Sequence, residues 1–166
     1  MVIILMGVAG SGKTTVGEVL ARRLGWHFYD ADDFHSARNR EKMHRGEPLT
    51  DGDRRPWLEA LHQLISRCEG KDEQAVLACS ALKQAYREQL TVGSREVRLV
   101  YLKGPAGLIA RRLGARHGHF FNPALLQAQL EALEEPSDAL TVDIAGTPEQ
   151  VADAIIAGLH PTDAPD

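Results

Sequence analysis

One segment near the start of the chain constrains its fold more than any other. Residues 7–14 read Gly-Val-Ala-Gly-Ser-Gly-Lys-Thr and match the pattern G-x-x-x-x-G-K-[ST]. The apolar run at 2–6 predicts a buried strand before this segment, and the pattern from 13 to 24 predicts a helix after it. A strand, a glycine-rich turn and a helix in this order form a loop that wraps phosphate groups. We call residues 7–14 the phosphate loop.

Each residue type in the phosphate loop has a role in binding ATP and Mg²⁺. Glycines let backbone N–H groups turn toward phosphate oxygens, and the helix N-terminus adds the positive end of its dipole. We expect Lys13 to contact the β- and γ-phosphates, Thr14 to offer its hydroxyl to Mg²⁺ and Thr15 to contact the α-phosphate. The predicted cofactor-binding residues are Gly7, Val8, Ala9, Gly10, Ser11, Gly12, Lys13, Thr14 and Thr15.

Short apolar runs alternate with helix-patterned segments along the chain. Strands are predicted at 2–6, 27–30, 75–79, 98–102 and 140–144, and helices at 13–24, 37–45, 82–90, 107–113, 125–133 and 148–159. A further helix is predicted after Asp53, where apolar residues recur with helical spacing up to Cys68 and Pro56 falls in the first turn. This alternation predicts an α/β fold of the P-loop NTPase class, with a parallel sheet covered by helices on both faces.

Composition narrows the possible functions. The 166 residues suffice for one domain, expected over 1–159, and the proline-containing stretch 160–166 is expected to be a loose tail. Nineteen basic against 23 acidic side chains give a net charge of −4, so we expect no nucleic-acid partner. Cys68 and Cys79 have no metal-ligand spacing, which favours reduced thiols in a cytoplasmic protein. The first apolar run is too short to span a membrane, and no membrane partner is expected.

A pair of acidic residues follows the second predicted strand. The chain has no Asn-Lys-x-Asp segment for reading guanine, and its third strand is followed by Cys79 and Ser80 rather than an acidic residue. In an extended backbone, Asp30 and Asp32 would point to the same side and face the phosphate loop. We expect Asp30 to lie nearer Mg²⁺ and Asp32 to accept the proton of an acceptor hydroxyl. The alternative is an acidic loop in which Asp33 caps a helix.

A basic, glycine-containing segment predicts a lid near 114–123. Arg116 lies within it and Arg112 just before it, so we expect both to approach bound phosphates, Arg116 as a catalytic residue and Arg112 as a cofactor-binding one. Closure would exclude water, which competes with the acceptor hydroxyl. The alternative is an ordinary basic loop, and His117 with His119 is weak evidence for a metal site.

Several further segments resemble the gluconokinase family of small P-loop sugar-acid kinases. Beside the phosphate loop, the resemblance rests on residues 30–35, Asn39, 42–43, 46–58, 79–83, 86–87, 101–104 and 116–121. The most particular of these are Pro-Leu-Thr-Asp-Gly-Asp-Arg-Arg-Pro-Trp-Leu at 48–58 and Ser-Ala-Leu-Lys at 80–83. The resemblance covers nearly the whole chain.

The resemblance implies ATP-dependent phosphorylation of D-gluconate to 6-phospho-D-gluconate and a sheet order of 2-3-1-4-5. It also implies that the loop 145–148 borders the adenine and that the protein is a homodimer. The candidate substrate-binding residues are Asp32, His35, Arg54, Lys83, Arg87 and His119. Other functions compatible with the motifs are a shikimate or nucleotide kinase, a non-catalytic ATP-dependent module and, against the net charge, a nucleic-acid end kinase.

Arg54 is the first candidate for binding the carboxylate of such a substrate. It lies near the start of the helix after Asp53, and a guanidinium group can grip a carboxylate through two hydrogen bonds. The alternative is a surface ion pair of Arg54 with Asp51 or Asp53. Lys83 and Arg87 are the next candidates.

Overall fold

The computed structural model describes residues 1–115 and 123–159. Its five strands are β1 Val2–Met6, β2 His27–Asp30, β3 Ala75–Ala78, β4 Val97–Lys103 and β5 Leu140–Asp143. All neighbouring strands are parallel, in the order β2-β3-β1-β4-β5. The predicted sheet and its order are confirmed.

Helices cover both faces of this sheet. They are α1 Lys13–Leu24, α2 Ala37–His44, α3 Asp51–Gly70, α4 Gln84–Thr91, α5 Ala106–Gly114, α6 Pro123–Ala132 and α7 Pro148–Leu159. One apolar core joins α1, α5, α6 and α7 to one face, and a second core joins α3 and α4 to the other. In the central strand β1, Ile3 and Leu5 belong to the first core, whereas Val2, Ile4 and Met6 belong to the second. This two-sided burial explains the uninterrupted apolar run.

Helix α3 begins earlier than predicted. Thr50 caps it: its hydroxyl accepts from the Asp53 N–H at 3.1 Å, while the Asp53 carboxylate accepts from the Thr50 N–H at 2.9 Å. The helix therefore starts at Asp51, before the predicted start after Asp53. Placing Pro56 in the first turn was wrong, because Pro56 is the sixth residue of α3 and lies inside it.

Helix α2 is fastened to the first turn of α3. Lys42 Nζ lies 2.7 Å from Asp53 Oδ2, and Asn39 Nδ2 donates to the Asp53 carbonyl at 2.8 Å. The Lys42 and Asp53 side chains are only 17% and 13% exposed, so this ion pair is shielded from water. The contacts fix the N-terminus of α3, and with it Arg54, against the segment that follows β2.

Candidate active site

A cleft of about 460 Å³ opens at the carboxyl ends of β1, β2 and β3. In open parallel sheets, ligands bind at this edge. The structure brings together many of the predicted site residues here: Ala9, Gly10, Gly12, Lys13, Thr14, Asp30, Asp32, His35, Arg54 and Lys83 all line the cleft. The phosphate loop forms one side of it, and residues of α3 and α4 form the other.

Backbone conformation explains the glycines of the phosphate loop. Gly10 and Gly12 have φ angles of 81° and 94°, which side-chain-bearing residues rarely adopt. A Cβ atom at Gly10 would also lie 2.5 Å from Leu113 of α5. Gly12 immediately precedes α1, so the helix N-terminus opens onto the loop.

Lys13 lies across the phosphate loop. Its Nζ donates to the Gly7 carbonyl at 2.9 Å and to the Val8 carbonyl at 3.1 Å. The ammonium group is thus held at the loop where phosphate oxygens would bind. Thr15 is exposed, and Ser11 is buried beneath the loop.

Thr14 and Asp30 form a hydroxyl and carboxylate pair at the edge of the cleft. Thr14 Oγ1 donates to Asp30 Oδ2 at 2.9 Å. Hydroxyl and carboxylate oxygens are ligands that Mg²⁺ accepts, with water and phosphate oxygens completing its shell. Among residues 1–115 and 123–159, no cluster of three or more His, Cys, Asp or Glu side chains forms a metal cage. The pair therefore fits a Mg²⁺ ion that is shared with a nucleotide.

The expected extended backbone through Asp30 and Asp32 is wrong. Strand β2 ends at Asp30, and residues Ala31–Phe34 form a short 3₁₀ helix. Asp30 Oδ1 caps this helix by accepting from the Asp32 N–H at 2.9 Å, so the capping residue is Asp30 rather than Asp33. The local side-chain bond outcompetes continued strand geometry. Both carboxylates still line the cleft, through a turn rather than through strand alternation.

Asp32 has an unusual electrostatic environment. Its carboxylate is accessible from the cleft, but the surrounding protein displaces bulk water and raises its pKa above the ordinary value. The negative charge of Asp30 adds to this rise, and the positive charge of Lys13 opposes it. A carboxylate of raised pKa facing the phosphate loop is suited to accepting a proton.

His35 is held flat on Trp57. The two rings stack with centroids 4.3 Å apart, and Trp57 Nε1 donates to the Ala31 carbonyl at 2.7 Å. Burial, helped by the positive charge of Arg54, lowers the pKa of His35 to about 4. The imidazole is therefore neutral near pH 7. Its buried Nδ1 has no hydrogen-bond partner among the described residues.

Arg54 points into the cleft from the first turns of α3. Its Nη1 donates to the Leu49 carbonyl at 2.7 Å and to the Tyr86 hydroxyl at 3.2 Å. The nearby carboxylates have other partners: Asp53 pairs with Lys42, and Asp51 with Tyr86 and Lys83. These contacts favour Arg54 as a residue of the site over the alternative of a surface ion pair between Arg54 and Asp51 or Asp53.

Arg87, predicted to bind the substrate, is not among the residues that line the cleft. It is 5% exposed, and its guanidinium donates to the carbonyl groups of Ala81, Leu82 and Glu134 at 2.7, 3.1 and 2.8 Å. Successive residues of a helix point about 100° apart, so Tyr86 faces the cleft while Arg87 faces away from it. Arg87 instead joins the start of α4 to the chain after α6.

The predicted lid is mostly outside the described residues. Arg116, His119 and the rest of 116–122 lie there, as does the expected tail at 160–166. Arg112 is described, and its Nη2 lies 3.5 Å from the Ala145 carbonyl and 3.4 Å from the Gly146 carbonyl. It therefore borders the loop 145–148, which was expected to lie beside the adenine.

Two residues of the cleft were missed by the sequence analysis. Gln129 Oε1 of α6 accepts from the Ala9 N–H at 2.7 Å, and Tyr86 of α4 contacts Arg54. Gln129 lies four residues after Leu125 and four before Leu133, so it is a polar residue on an apolar helical stripe. This polar residue at an otherwise apolar position was the feature of the sequence that could have identified Gln129 as a site residue. Tyr86 was noticed only as part of a motif.

The topology and the site define a class before any comparison with other proteins. A parallel sheet of order 2-3-1-4-5, with the phosphate loop between its central strand and α1, is the architecture of a P-loop NTPase of the kinase type. A family model described as "AAA domain" matches residues 2–136. The cleft beside the loop has room for a small second substrate.

Curated relatives specify the family. The chain is 44% identical over 147 residues to the thermoresistant gluconokinase of Escherichia coli K12, covering 86% of this chain and 84% of the relative. It is 47% identical over 136 residues to the gluconokinase of Gluconobacter oxydans, covering 82% and 76%. A probable gluconokinase of Rattus norvegicus is 45% identical and covers 95% and 97%. The chain belongs to the gluconokinase family.

Solved structures agree with this assignment. The crystal structure of a gluconokinase from Sinorhizobium meliloti superposes with a TM-score of 0.86 at 40% identity, covering 95% of this chain and 90% of that one. Shikimate kinase from Aquifex aeolicus superposes with a TM-score of 0.62 at 22% identity, covering 96% of both chains, which shows a shared fold. Within the described ranges, no helix has the length and apolarity needed to cross a membrane.

Proposed function

We propose that the protein transfers the γ-phosphoryl group of ATP to the terminal hydroxyl of D-gluconate, giving 6-phospho-D-gluconate. One observation carries the proposal: the phosphate loop and Asp32 lie in the same cleft as two cationic side chains, Arg54 and Lys83. A kinase for a sugar acid needs all three elements. The relatives of 44 to 47% identity bear the name gluconokinase.

The phosphate loop binds the triphosphate. Its backbone N–H groups and the N-terminus of α1 contact phosphate oxygens, and Lys13 exchanges its bonds to Gly7 and Val8 for bonds to phosphate. Thr14 and Asp30 would hold Mg²⁺, which when bound would neutralise charge on the phosphates. Arg112, next to the loop 145–148, supports the nucleotide from the adenine side.

Asp32 acts on the acceptor. Asp30 is already occupied by the Thr14 hydroxyl and by the Asp32 N–H, which leaves the Asp32 carboxylate facing the open cleft. Asp32 accepts the proton of the attacking hydroxyl as its oxygen bonds to the γ-phosphorus and the bond from that phosphorus to the leaving ADP oxygen breaks. Its raised pKa makes it a stronger base than an ordinary aspartate.

The opposite wall recognises the sugar acid. Arg54 and Lys83 bind the carboxylate, and the neutral His35 forms a hydrogen bond with a chain hydroxyl. Arg116 as a catalytic residue and His119 as a substrate-binding residue, both outside the described residues, also belong to this proposal. We also propose a cytoplasmic homodimer; both cysteines are buried and free, in keeping with a reducing compartment.

An acceptor panel tests the proposed function. The purified protein is assayed with ATP and Mg²⁺ by coupled ADP release, with gluconate, D-glucitol, shikimate and AMP as acceptors. D-glucitol is the matched control, because it replaces the carboxylate of gluconate by CH₂OH and keeps the other hydroxyls. We expect strong turnover with gluconate alone. Faster turnover with shikimate or AMP, or no dependence on any acceptor, would reject the proposal.

A further inference from the structure

Tyr86 occupies a special position on the acceptor wall of the cleft. It is 8% exposed and lines the cleft. Its hydroxyl donates to Asp51 Oδ1 at 2.5 Å and accepts from Arg54 Nη1 at 3.2 Å. One phenol thus joins a cation of α3 to a carboxylate of the same helix.

The aromatic ring of Tyr86 contacts both cations of this wall. The Arg54 guanidinium carbon lies 5.5 Å from the ring centroid, and Lys83 Nζ lies 5.6 Å from it. Both distances are within the range of cation–π attraction. Lys83 Nζ also lies 3.6 Å from the Asp51 carboxylate. Arg54 and Lys83 therefore both contact the ring of Tyr86. Lys83 contacts Asp51 directly, and Arg54 is linked to Asp51 through the Tyr86 hydroxyl.

The charge of this cluster matches one carboxylate. Arg54 and Lys83 contribute two positive charges and Asp51 contributes one negative charge, which leaves one positive charge unbalanced. Glu47, another carboxylate on this side of the cleft, is paired with Arg45 at 3.1 Å. Two long cationic side chains would repel each other and spread apart without a common anchor. Tyr86 and Asp51 provide that anchor.

We propose that Tyr86 is the positioning residue of the acceptor site, whose hydroxyl holds the Arg54 guanidinium beside Lys83 so that both cations receive one carboxylate. The inference rests on the proposed phosphorylation of gluconate and deepens it. On this inference the uncharged side chain of Tyr86 helps the enzyme distinguish an acceptor with one negative charge from a neutral acceptor. The competing explanation is that Tyr86 only packs α4 against α3.

The variant Tyr86→Phe separates these explanations, because it keeps the ring and removes only the hydroxyl. We expect its KM for gluconate to rise about tenfold, the effect of losing a hydrogen bond to a charged group, with kcat and the KM for ATP within about twofold. Tyr101→Phe is the matched control. The Tyr101 hydroxyl also donates to a carboxylate, that of Glu135 at 3.3 Å, but Tyr101 is outside the cleft lining.

Two further measurements exclude a merely structural effect. The ratio of kcat/KM for gluconate to kcat/KM for D-glucitol does not depend on the concentration of folded enzyme. It should fall about tenfold in Tyr86→Phe and stay unchanged in Tyr101→Phe. In an Arg54→Ala background, Tyr86→Phe should change the KM for gluconate by less than about twofold, because the hydroxyl then has no guanidinium to hold.

The outcomes distinguish the inference from the proposed function. A wild-type protein that does not phosphorylate gluconate rejects the proposed function and the inference with it. An active wild type whose Tyr86→Phe variant keeps its gluconate KM and its acceptor ratio rejects the inference alone. Equal losses with both acceptors, or a full additional loss in the Arg54→Ala background, also reject it and identify Tyr86 as a packing residue.

Discussion

Gln129 Oε1 accepts a hydrogen bond from the backbone N–H of Ala9 at 2.7 Å, across 120 residues of sequence. This contact fastens α6, the helix that follows the predicted lid, to the phosphate loop. Gln129 also lines the cleft. A change in the position of α6 would therefore break or move the hydrogen bond to the phosphate loop.

The first prediction concerns this contact. Gln129→Glu keeps the acceptor oxygen but places a negative charge beside the triphosphate, so like-charge repulsion should raise the KM for ATP at least about fivefold. The KM for gluconate should stay within about twofold. Gln127→Glu is the control, because Gln127 lies on the exposed side of α6 and bonds Glu131. An unchanged KM for ATP in Gln129→Glu would show that Gln129 is remote from the phosphates.

The second prediction tests the phosphate loop. Lys13→Ala should lower kcat by on the order of 10² to 10³, because a positive charge that stabilises the transferring phosphoryl group is lost. The fold should persist, since Lys13 opens a helix at the edge of the cleft, and circular dichroism can verify this. Lys71→Ala, at the far end of α3, should have no effect. Near-normal turnover in folded Lys13→Ala would contradict the assignment.

The third prediction assigns the two carboxylates. Asp32→Asn should lower kcat by about 10² to 10⁴, the range for losing a general base. Because a base must be deprotonated and the pKa of Asp32 is raised above 3.8, wild-type activity should fall with decreasing pH at a higher pH than an ordinary aspartate would give. Asp30→Asn should instead raise the Mg²⁺ concentration needed for half-maximal activity. The exposed neighbour Asp33 supplies the control Asp33→Asn.

A ternary crystal structure checks the same assignment directly. With an ATP analogue and gluconate bound, Asp32 should lie within about 3.2 Å of the acceptor oxygen. Finding Asp30 there instead would reverse the two roles.

The fourth prediction concerns recognition of the carboxylate. Arg54→Ala should raise the KM for gluconate well over tenfold and leave the KM for ATP nearly unchanged, because a desolvated ionic contact is lost. Arg55→Ala, one residue further along α3 and exposed, should behave as wild type. The wild type should turn over glucose very poorly, since Arg54 is then left without its partner. Retained preference for gluconate over glucose in Arg54→Ala would move the carboxylate contact to Lys83.

The fifth prediction concerns stability. Hydrogen bonds from Lys42 and Thr50 hold the pKa of Asp53 well below its ordinary value of 3.8. The folded state therefore favours the carboxylate, so its stabilising contribution is present above pH 3.8 and is lost as pH falls further. Asp53→Asn should therefore lower Tm by the same amount at pH 7 and at pH 5. In more acidic solution, the difference in Tm between this variant and the wild type should become smaller.

Breaking a more exposed ion pair supplies the comparison. Glu47→Gln removes the partner of Arg45, whose side chain is 57% exposed, and should change Tm little. If Asp53→Asn also leaves Tm unchanged at pH 7, the contact between α2 and α3 does not stabilise the fold.

The sheet, its order and most helix boundaries could be predicted because local patterns determine them. The apolar run of β1 and the phosphate loop are contiguous in sequence, and the family resemblance supplied the strand order. The errors came from competition between local and tertiary effects. Asp30 was assigned to an extended strand, whereas its side chain caps a 3₁₀ helix. Arg87 was predicted to bind the substrate, whereas its two terminal nitrogens donate to the carbonyl groups of Ala81, Leu82 and Glu134.

Tyr86 and Gln129 were missed for a different reason. Their partners, Arg54 and Ala9, are 32 and 120 residues away in sequence. Such contacts are created only when the helices pack around the cleft. No spacing rule within one segment encodes them.

The ion pair between α2 and α3 has a consequence for how acceptor preference can change. Asn39 and Lys42 bind Asp53, so the stretch from β2 to the first turns of α3 is a self-fastened block that carries His35 and Arg54. The proposed nucleotide contacts of the phosphate loop and Arg112 lie outside this block, whereas Asp30, which we propose to hold Mg²⁺, lies at its start. Transferring the choice of acceptor between homologous kinases would therefore require exchanging this block together with Lys83 and Tyr86, which line the same wall of the cleft, and would leave the phosphate loop unchanged. Substituting Asn39 or Lys42 alone would instead loosen the block without exchanging any of its proposed acceptor contacts.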